Sequence, residues 1–349
     1  MAPVVGIIAN PVSARDIRRI IANAASLQIS DRANIVLRVL ACLRACGVER
    51  AVLMPENGGI RHHIRRGLDR SINLGENEFP DVSYLDMKIG GTVEDTIRSA
   101  TAMKKMGVSA IVVLGGDGTH RAVVSACGDI PVAGISTGTN NAFPEHREPT
   151  ITGLAVGLAV TGKVPPHIAY AKNKKINVVV NGEAPEIALV DAAVVTERVV
   201  GARAVWRAET FRELIVTFAD PQVIGMSAIA GLLEPVKRTD PGGLLVSLEP
   251  VEDAPMSLLV PLAPGHLRPV GIASWRRFKA DEPYTPETRA GSIALDGERE
   301  ISFSEHDRVT ITLEENAFRT VDTGPVMDYA AKQGLLRRPH INARKRTAS

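Results

Sequence analysis

Cysteine is scarce in this 349-residue chain: Cys42, Cys46 and Cys127 are all there is. A small, odd number excludes a disulfide framework. Cys42 and Cys46 lie four apart with no further ligand at zinc-site spacing. They read as small buried apolar residues in a reducing, cytoplasmic setting. No stretch approaches the roughly 18 apolar residues that span a bilayer. The apolar run at residues 4–9 has only strand length and no basic region before it, so neither a membrane span nor a signal peptide is expected. Charge of one sign is also missing. A net charge of +2 gives no electrostatic case for nucleic acid as partner. The basic residues near the end (Arg337, Arg338, Arg344, Lys345, Arg346) follow the last apolar segment, as a solvated tail does. There is no repeat of fixed period. No Gly-x-Gly-x-x-Gly follows the first strand, which argues against a Rossmann dehydrogenase. His62-His63 has no partner at ligand spacing, so no metal site is expected there.

What is present is an ordinary globular mixture, 45% hydrophobic and 23% charged, in a chain too long for one core. Two patterns divide it. Up to about residue 148, apolar strand-length runs alternate with helical stripes. Runs at 4–9, 51–54, 82–85, 110–114 and 132–135 read as strands. Ile17, Ile20, Ile21 and Ala24, then Ile35, Val36, Val39, Leu40 and Leu43, mark helices, and Thr92 with Asp95 reads as a capping pair before another. This implies a doubly wound, mostly parallel α/β domain over 1–148. A short helix follows at 151–160, and beyond it the period is mostly two. Strands are expected at 175–180, 186–195, 224–229, 244–248, 258–262, 291–295 and 309–313. One helical insert is expected at Phe211, Leu214, Ile215 and Phe218, spaced i, i+3, i+4 and i+7. A β-rich, antiparallel domain over 149–324 results, with a C-terminal helix and basic tail over 325–349. Trp206 and Trp275 read as core or interface anchors.

The sharpest chemical signal is Gly115-Gly116-Asp117-Gly118-Thr119, between an apolar strand and a helix. The glycines open backbone conformations closed to other residues and allow close approach of a ligand. Amides at a helix start make an anion site, and in an open α/β sheet this is the strand end where ligands bind. A carboxylate in a phosphate cradle repels its ligand unless it binds magnesium or accepts a proton from an attacking hydroxyl, which gives Asp117 a role. The bland reading is a turn in which Asp117 caps a helix. One βα step later, Ser136, Thr137, Gly138, Thr139, Asn140 and Asn141 crowd a second loop with groups that hold phosphate or ribose by uncharged hydrogen bonds. Asn10-Pro11-Val12-Ser13 closes the first strand as a third polar loop. Arg15, Arg18 and Arg19 follow it, either within reach of phosphates or on a solvated face.

These residues carry a resemblance. Gly115-Gly116-Asp117-Gly118-Thr119 resembles the shared signature of the superfamily uniting NAD kinases, diacylglycerol kinases and sphingosine kinases, and Asn10-Pro11-Val12-Ser13 its opening Asn-Pro-x-Ser. The run from Gly138 to Phe143 resembles the lipid-kinase Gly-Thr-x-Asn-Asp-Phe, with Ala142 for the acid. Gly134-Ile135-Ser136-Thr137-Gly138 is similar to the NAD-kinase Gly-Ile-Asn-Thr-Gly. Ala188-Leu189-Val190-Asp191 resembles the NAD-kinase segment that grips the dinucleotide, with Val190 for its Asn. Leu295-Asp296-Gly297-Glu298 is similar to the lipid-kinase return segment beside the active site. Taken whole, the chain most resembles the acetoin-catabolism protein X group, a NAD-kinase-like branch.

The resemblance implies ATP and Mg2+ in a cleft between the domains. It implies phosphate binding by Asn10, Ser13, Gly115, Gly116, Gly118, Thr119, Thr137, Gly138, Thr139 and Asn141, and catalysis at Asp117. Acceptor binding falls to Asn140, Phe143 and Asp191, and metal support to Asp296 and Glu298. Asp191 is equally well a strand-edge residue, and Asp296-Gly297 equally a hairpin turn. The expected activity is γ-phosphoryl transfer from ATP to a hydroxyl, NAD to NADP first, in a homo-oligomer with small-molecule partners, no nucleic acid and no membrane insertion. Kinase of a lipid or small polyol, and non-catalytic nucleotide-binding regulator, are the alternatives.

Overall fold

The computed structural model describes residues 2–11, 27–137, 141–144, 147–197 and 208–338. The expected helix at Ile17–Ala24, the arginines at 15, 18 and 19, Ser13, Gly138, Thr139, Asn140, Trp206 and the tail basics at 344–346 lie outside them.

The first part alternates strand and helix: β1 (Val4–Ala9), α1 (Ile29–Ala45), β2 (Arg50–Leu53), α2 (Ile60–Asn73), β3 (Asp81–Tyr84), α3 (Val93–Met106), β4 (Ala110–Gly115), α4 (Asp117–Cys127) and β5 (Val132–Ser136). The five strands pair in parallel in the order β3-β2-β1-β4-β5. Alternate residues face opposite layers, as the pleat requires. Val5, Ile7, Val112, Leu114 and Ile135 meet α1. Ile8, Val52, Ile111, Val113 and Val132 meet α3 and α4. Burial on both faces explains why these strands read as unbroken apolar runs.

The second part holds α5 (Pro149–Val160), α6 (Pro166–Ala169), β6 (Tyr170–Val180), β7 (Glu186–Ala188), β8 (Asp191–Val195), β9 (Phe211–Val216), α7 (Ser227–Leu233), β10 (Gly243–Glu249), β11 (Met256–Ala263), β12 (His266–Phe278), β13 (Gly291–Leu295), β14 (Glu298–Phe303), β15 (Val309–Val321) and α8 (Thr323–Gln333). A seven-stranded sheet, β11-β12-β10-β9-β8-β13-β14, is antiparallel throughout. The remaining strands join the first sheet, which grows to eight as β3-β2-β1-β4-β5-β15-β6-β7. Its β6 and β15 pack Ile176, Val178, Ile311 and Leu313 against Ala192, Val194, Ile215 and Ile293 of the second sheet. The mixed α/β expectation therefore holds, with a mostly parallel sheet and an antiparallel one.

Three local expectations are corrected. Residues 211–216 form a strand, not a helix. β9 pairs with β8 and β10 on both sides, and the spacing misled because both its faces are buried, Leu214 and Val216 toward one core and Ile215 toward the other. Residues 227–233 form a helix, not a strand; α7 is a short apolar segment buried beneath the second sheet. The strand at 186–195 breaks at Leu189-Val190, where the chain crosses from one sheet to the other. In addition, Trp275 lies 41% exposed on β12 rather than in a core. Thr92 makes no side-chain cap bond at α3. Asp95 instead accepts from the Gly90 and Gly91 amides at 3.0 and 2.6 Å and pairs with Arg98. No helix among the described residues is long and apolar enough to cross a membrane.

Candidate active site

The chain runs β1, β2, β3 outward on one side of β1 and returns to place β4 and β5 on the other. The crevice outside the carboxyl ends of β1 and β4 is thus the topological switch point, where open α/β sheets bind ligands. Register sets three loops level there: Ala9 pairs with Leu114, Leu114 with Ile135, and Gly115 with Ser136. Asn10, the glycine turn and Ser136-Thr137 therefore emerge side by side. The start of α4 adds the positive end of its dipole.

The glycines of the turn differ from expectation. Gly115, Gly116 and Gly118 are absent from the positive-φ residues, so conformational freedom is not their use. Space is. A Cβ on Gly115 would lie 2.5 Å from the Thr119 side chain, and one on Gly116 would lie 2.7 Å from Asn141 Oδ1. Asn141 in turn donates from Nδ2 to Ser136 Oγ at 2.9 Å. The two motif loops touch because one of them lacks side chains.

Asp117 is buried at the first turn of α4. Its Oδ2 accepts the Ala142 amide at 3.0 Å and its Oδ1 the Phe143 amide at 2.9 Å. Two amide donors hold the carboxylate in one orientation and stabilise its charge. His120, fully buried one turn on, sets its Nδ1 2.8 Å from the Gly116 carbonyl oxygen. Burial holds this imidazole down at about 4, with the Gly116 contact opposing and the Arg238 charge assisting, so it is neutral at pH 7.

The comparisons with known proteins bear on this arrangement. Over 341 residues the chain is 51% identical to "Acetoin catabolism protein X" of Cupriavidus necator, covering 97% of this chain and 95% of that one. The chain belongs to the acetoin catabolism protein X family. Residues 174–316 match the acetoin catabolism protein X C-terminal domain, and residues 5–161 match the ATP-NAD kinase N-terminal domain. Two solved structures assigned as diacylglycerol kinase from Bacillus anthracis str. Sterne are also similar. One is 12% identical with a TM-score of 0.48, covering 92% of this chain and 97% of that one. The other is 13% identical with a TM-score of 0.43, covering 92% and 98%.

The family's other motif residues fall in two groups. Glu298 reaches the turn: a methyl placed on Gly118 would meet its carboxylate at 3.9 and 4.0 Å. Asp296 does not present its carboxylate to the turn. It sits in a tight hairpin with Gly297, φ 51° and 81°, and accepts the Leu189, Val190 and Asp191 amides at 3.0, 2.8 and 3.4 Å. Burial pushes this carboxyl up, while Arg121, 4.0 Å away, and the three amides oppose that. Asp191 is itself buried at the crossing between sheets, and its carbonyl accepts the Asp296 amide at 2.9 Å. Phe143 is buried too, in a cluster with Leu189, Val190, Phe218 and Phe318.

Arg32 escaped the sequence reading. Arg32, 2% exposed in the first turn of α1, donates from Nη1 to the Asn10 carbonyl at 3.1 Å and to Thr137 Oγ1 at 3.3 Å. It ties the loop after β1 to the loop after β5 and puts a positive charge beneath the crevice, which favours an anionic ligand. The available signal was its position: Arg32 stands four residues before Val36, on the otherwise apolar stripe of α1.

Proposed function

We propose that this chain is an ATP-dependent phosphotransferase, moving the γ-phosphoryl group to a hydroxyl acceptor, with NAD the first acceptor to test. The observation that carries the reading is the level register of three polar loops at the switch point, with the start of α4 and the Arg32 cation beneath. Phosphoryl transfer needs chiefly positioning and charge neutralisation, and these elements supply both. The phosphates would lie against Gly115, Gly116, Gly118 and Thr119, with Asn10, Thr137 and Asn141 around them. Ser13, Gly138, Thr139 and Asn140 belong to the same proposal by motif.

The donor set fits a magnesium ion that arrives with the nucleotide. Among the described residues no group of three or more acidic, histidine or cysteine side chains forms a preformed metal cage, and magnesium is commonly held by one or two carboxylates together with substrate phosphates. Glu298, beside Gly118, would supply such a carboxylate; Asp296, turned into the 189–191 amides, would act by fixing the hairpin that carries Glu298. The metal would neutralise phosphate charge. Asp117, held by two amides, would take the proton of the acceptor hydroxyl.

A smaller polyol acceptor is the second reading, and Val190 favours it. The side chain where NAD kinases carry an amide is here apolar and 1% exposed, packed with Leu189 and Phe218. The deciding assay incubates the protein with ATP, Mg2+ and NAD and follows NADP, with Asp117→Asn in parallel. NADP formed by the wild type and lost by about 10^3-fold in the variant, the scale of a removed acid–base group, supports the NAD reading. ATP binding without NADP turns the search to polyols. Absence of nucleotide binding sinks the kinase reading.

A further inference from the structure

Ala142-Phe143 is gripped along both edges. Asp117 holds its two amides, and Arg238, nearly a hundred residues on in sequence, holds its two carbonyls: Nη2 donates to Ala142 O at 2.7 Å and to Phe143 O at 2.9 Å. The Arg238 guanidinium also lies over the Phe218 ring at 4.1 Å and the Phe143 ring at 5.1 Å. Such a cation held between rings and carbonyls has little freedom.

The segment bearing Arg238 is fixed in turn. Lys174 of β6, buried, donates to the carbonyls of Asp240 and Gly242 at 2.8 and 2.6 Å. The Gly242 amide donates to Glu315 of β15 at 2.6 Å, and the Lys237 amide to Asp240 at 2.9 Å. A series of directed bonds thus runs from β6 and β15 of the first sheet, through the segment bearing Arg238, to the dipeptide that orients Asp117. The residue before that dipeptide, Asn141, is the one seated on Gly116.

We propose that Arg238 is a positioning residue of the phosphoryl-transfer site, setting Asn141 and the Asp117 carboxylate against the glycine turn without touching substrate. The assignment rests on the phosphotransferase reading. Mechanically, a guanidinium on the carbonyl edge and a carboxylate on the amide edge leave the dipeptide one place to sit, so the loop after β5 registers with the turn after β4 to within hydrogen-bond tolerance. Displacements on the order of 1 Å at such sites cost about 10^2-fold in rate.

The test measures Mg-ATP affinity by calorimetry for wild type, Arg238→Met, Arg238→Lys, Asn141→Ala and the Arg238→Met/Asn141→Ala double variant, with nucleotide-free melting curves for each. Expected are a loss of about tenfold in Arg238→Met, recovery to within about threefold in Arg238→Lys, which keeps a cation between the rings, and a double variant little weaker than Asn141→Ala alone, since coupled residues are not additive. Wild type that binds no Mg-ATP overturns the phosphotransferase reading and this assignment with it. Wild type that binds, with Arg238→Met binding equally well, overturns the assignment alone. So do additive losses in the double variant, or losses that track melting temperature across the set: Arg238 would then support the fold only.

Discussion

The turn at residues 115–119 and the hairpin at 296–298 both carry an aspartate beside glycine, and both aspartates hold backbone amides of a distant segment: Asp117 those of 142 and 143, Asp296 those of 189, 190 and 191. Their glycines work differently. Gly116 has φ −95° and serves by leaving room for Asn141, whereas Gly297 has φ 81° and serves by permitting a left-handed turn. The first turn lies at the switch point, and the second sends Glu298 toward it while the Asp296 carboxylate turns inward, with Arg121 beside it. Similar letters therefore fasten different segments: Asp117 holds the loop after β5 to the glycine turn, and Asp296 holds the crossing between the sheets. What separates them is the neighbour each turn meets: Asn141 seats on Gly116, whereas Arg121 stands beside Asp296.

The comparison can be broken most sharply at Asp296. Asp296→Ala leaves three buried amides without their acceptor, and should lower unfolding stability by about 3–5 kcal/mol. Urea denaturation measures this. A loss below about 1 kcal/mol would mean that the hairpin does not fasten the crossing at 189–191.

A second effect concerns His120, which belongs to the first turn. Its folded-state pKa is about 4, below the ordinary 6.5. Between these values the unfolded chain takes up a proton that the native imidazole refuses. Stability is therefore complete above pH 6.5 and is lost as pH falls toward 4, by on the order of 3 kcal/mol. His120→Gln should flatten the fall in denaturation midpoint between pH 7 and 4.5. Equal slopes in both proteins would refute the buried neutral imidazole.

The smallest effect contrasts Gly116, at the start of α4, with Gly6 in β1. Gly116→Ala drives a methyl against Asn141 Oδ1, and should cost about 1–3 kcal/mol together with Mg-ATP affinity. Gly6→Ala drives a methyl to 2.5 Å from the Sδ of fully buried Met103, and should cost about 1–3 kcal/mol with affinity unchanged. Paired melting and binding curves give the answer; equal affinity in the two variants would mean that Gly116 serves the fold alone.

Much of this was legible from residues. The parallel strands of the first part declared themselves because burial on both faces demands unbroken apolar runs. The glycine turn did so because close approach excludes side chains. The same burial rule hid β9, since an apolar segment between two cores carries no alternation to tell it from a helix. Arg238 gave no sign, because its partners are main-chain carbonyls, which every sequence possesses.

The sequence by itself determined the two patterns of periodicity, the place of the glycine turn between strand and helix, and the absence of a disulfide framework, since each depends on neighbours along the chain. Only the tertiary structure decided that β6, β7 and β15 extend the first sheet, that Asp296 fastens rather than faces the cleft, and that Arg32 and Arg238 hold the loops in place. Those outcomes depend on which backbone amides and carbonyls meet across long separations, and main-chain groups are the same in every residue.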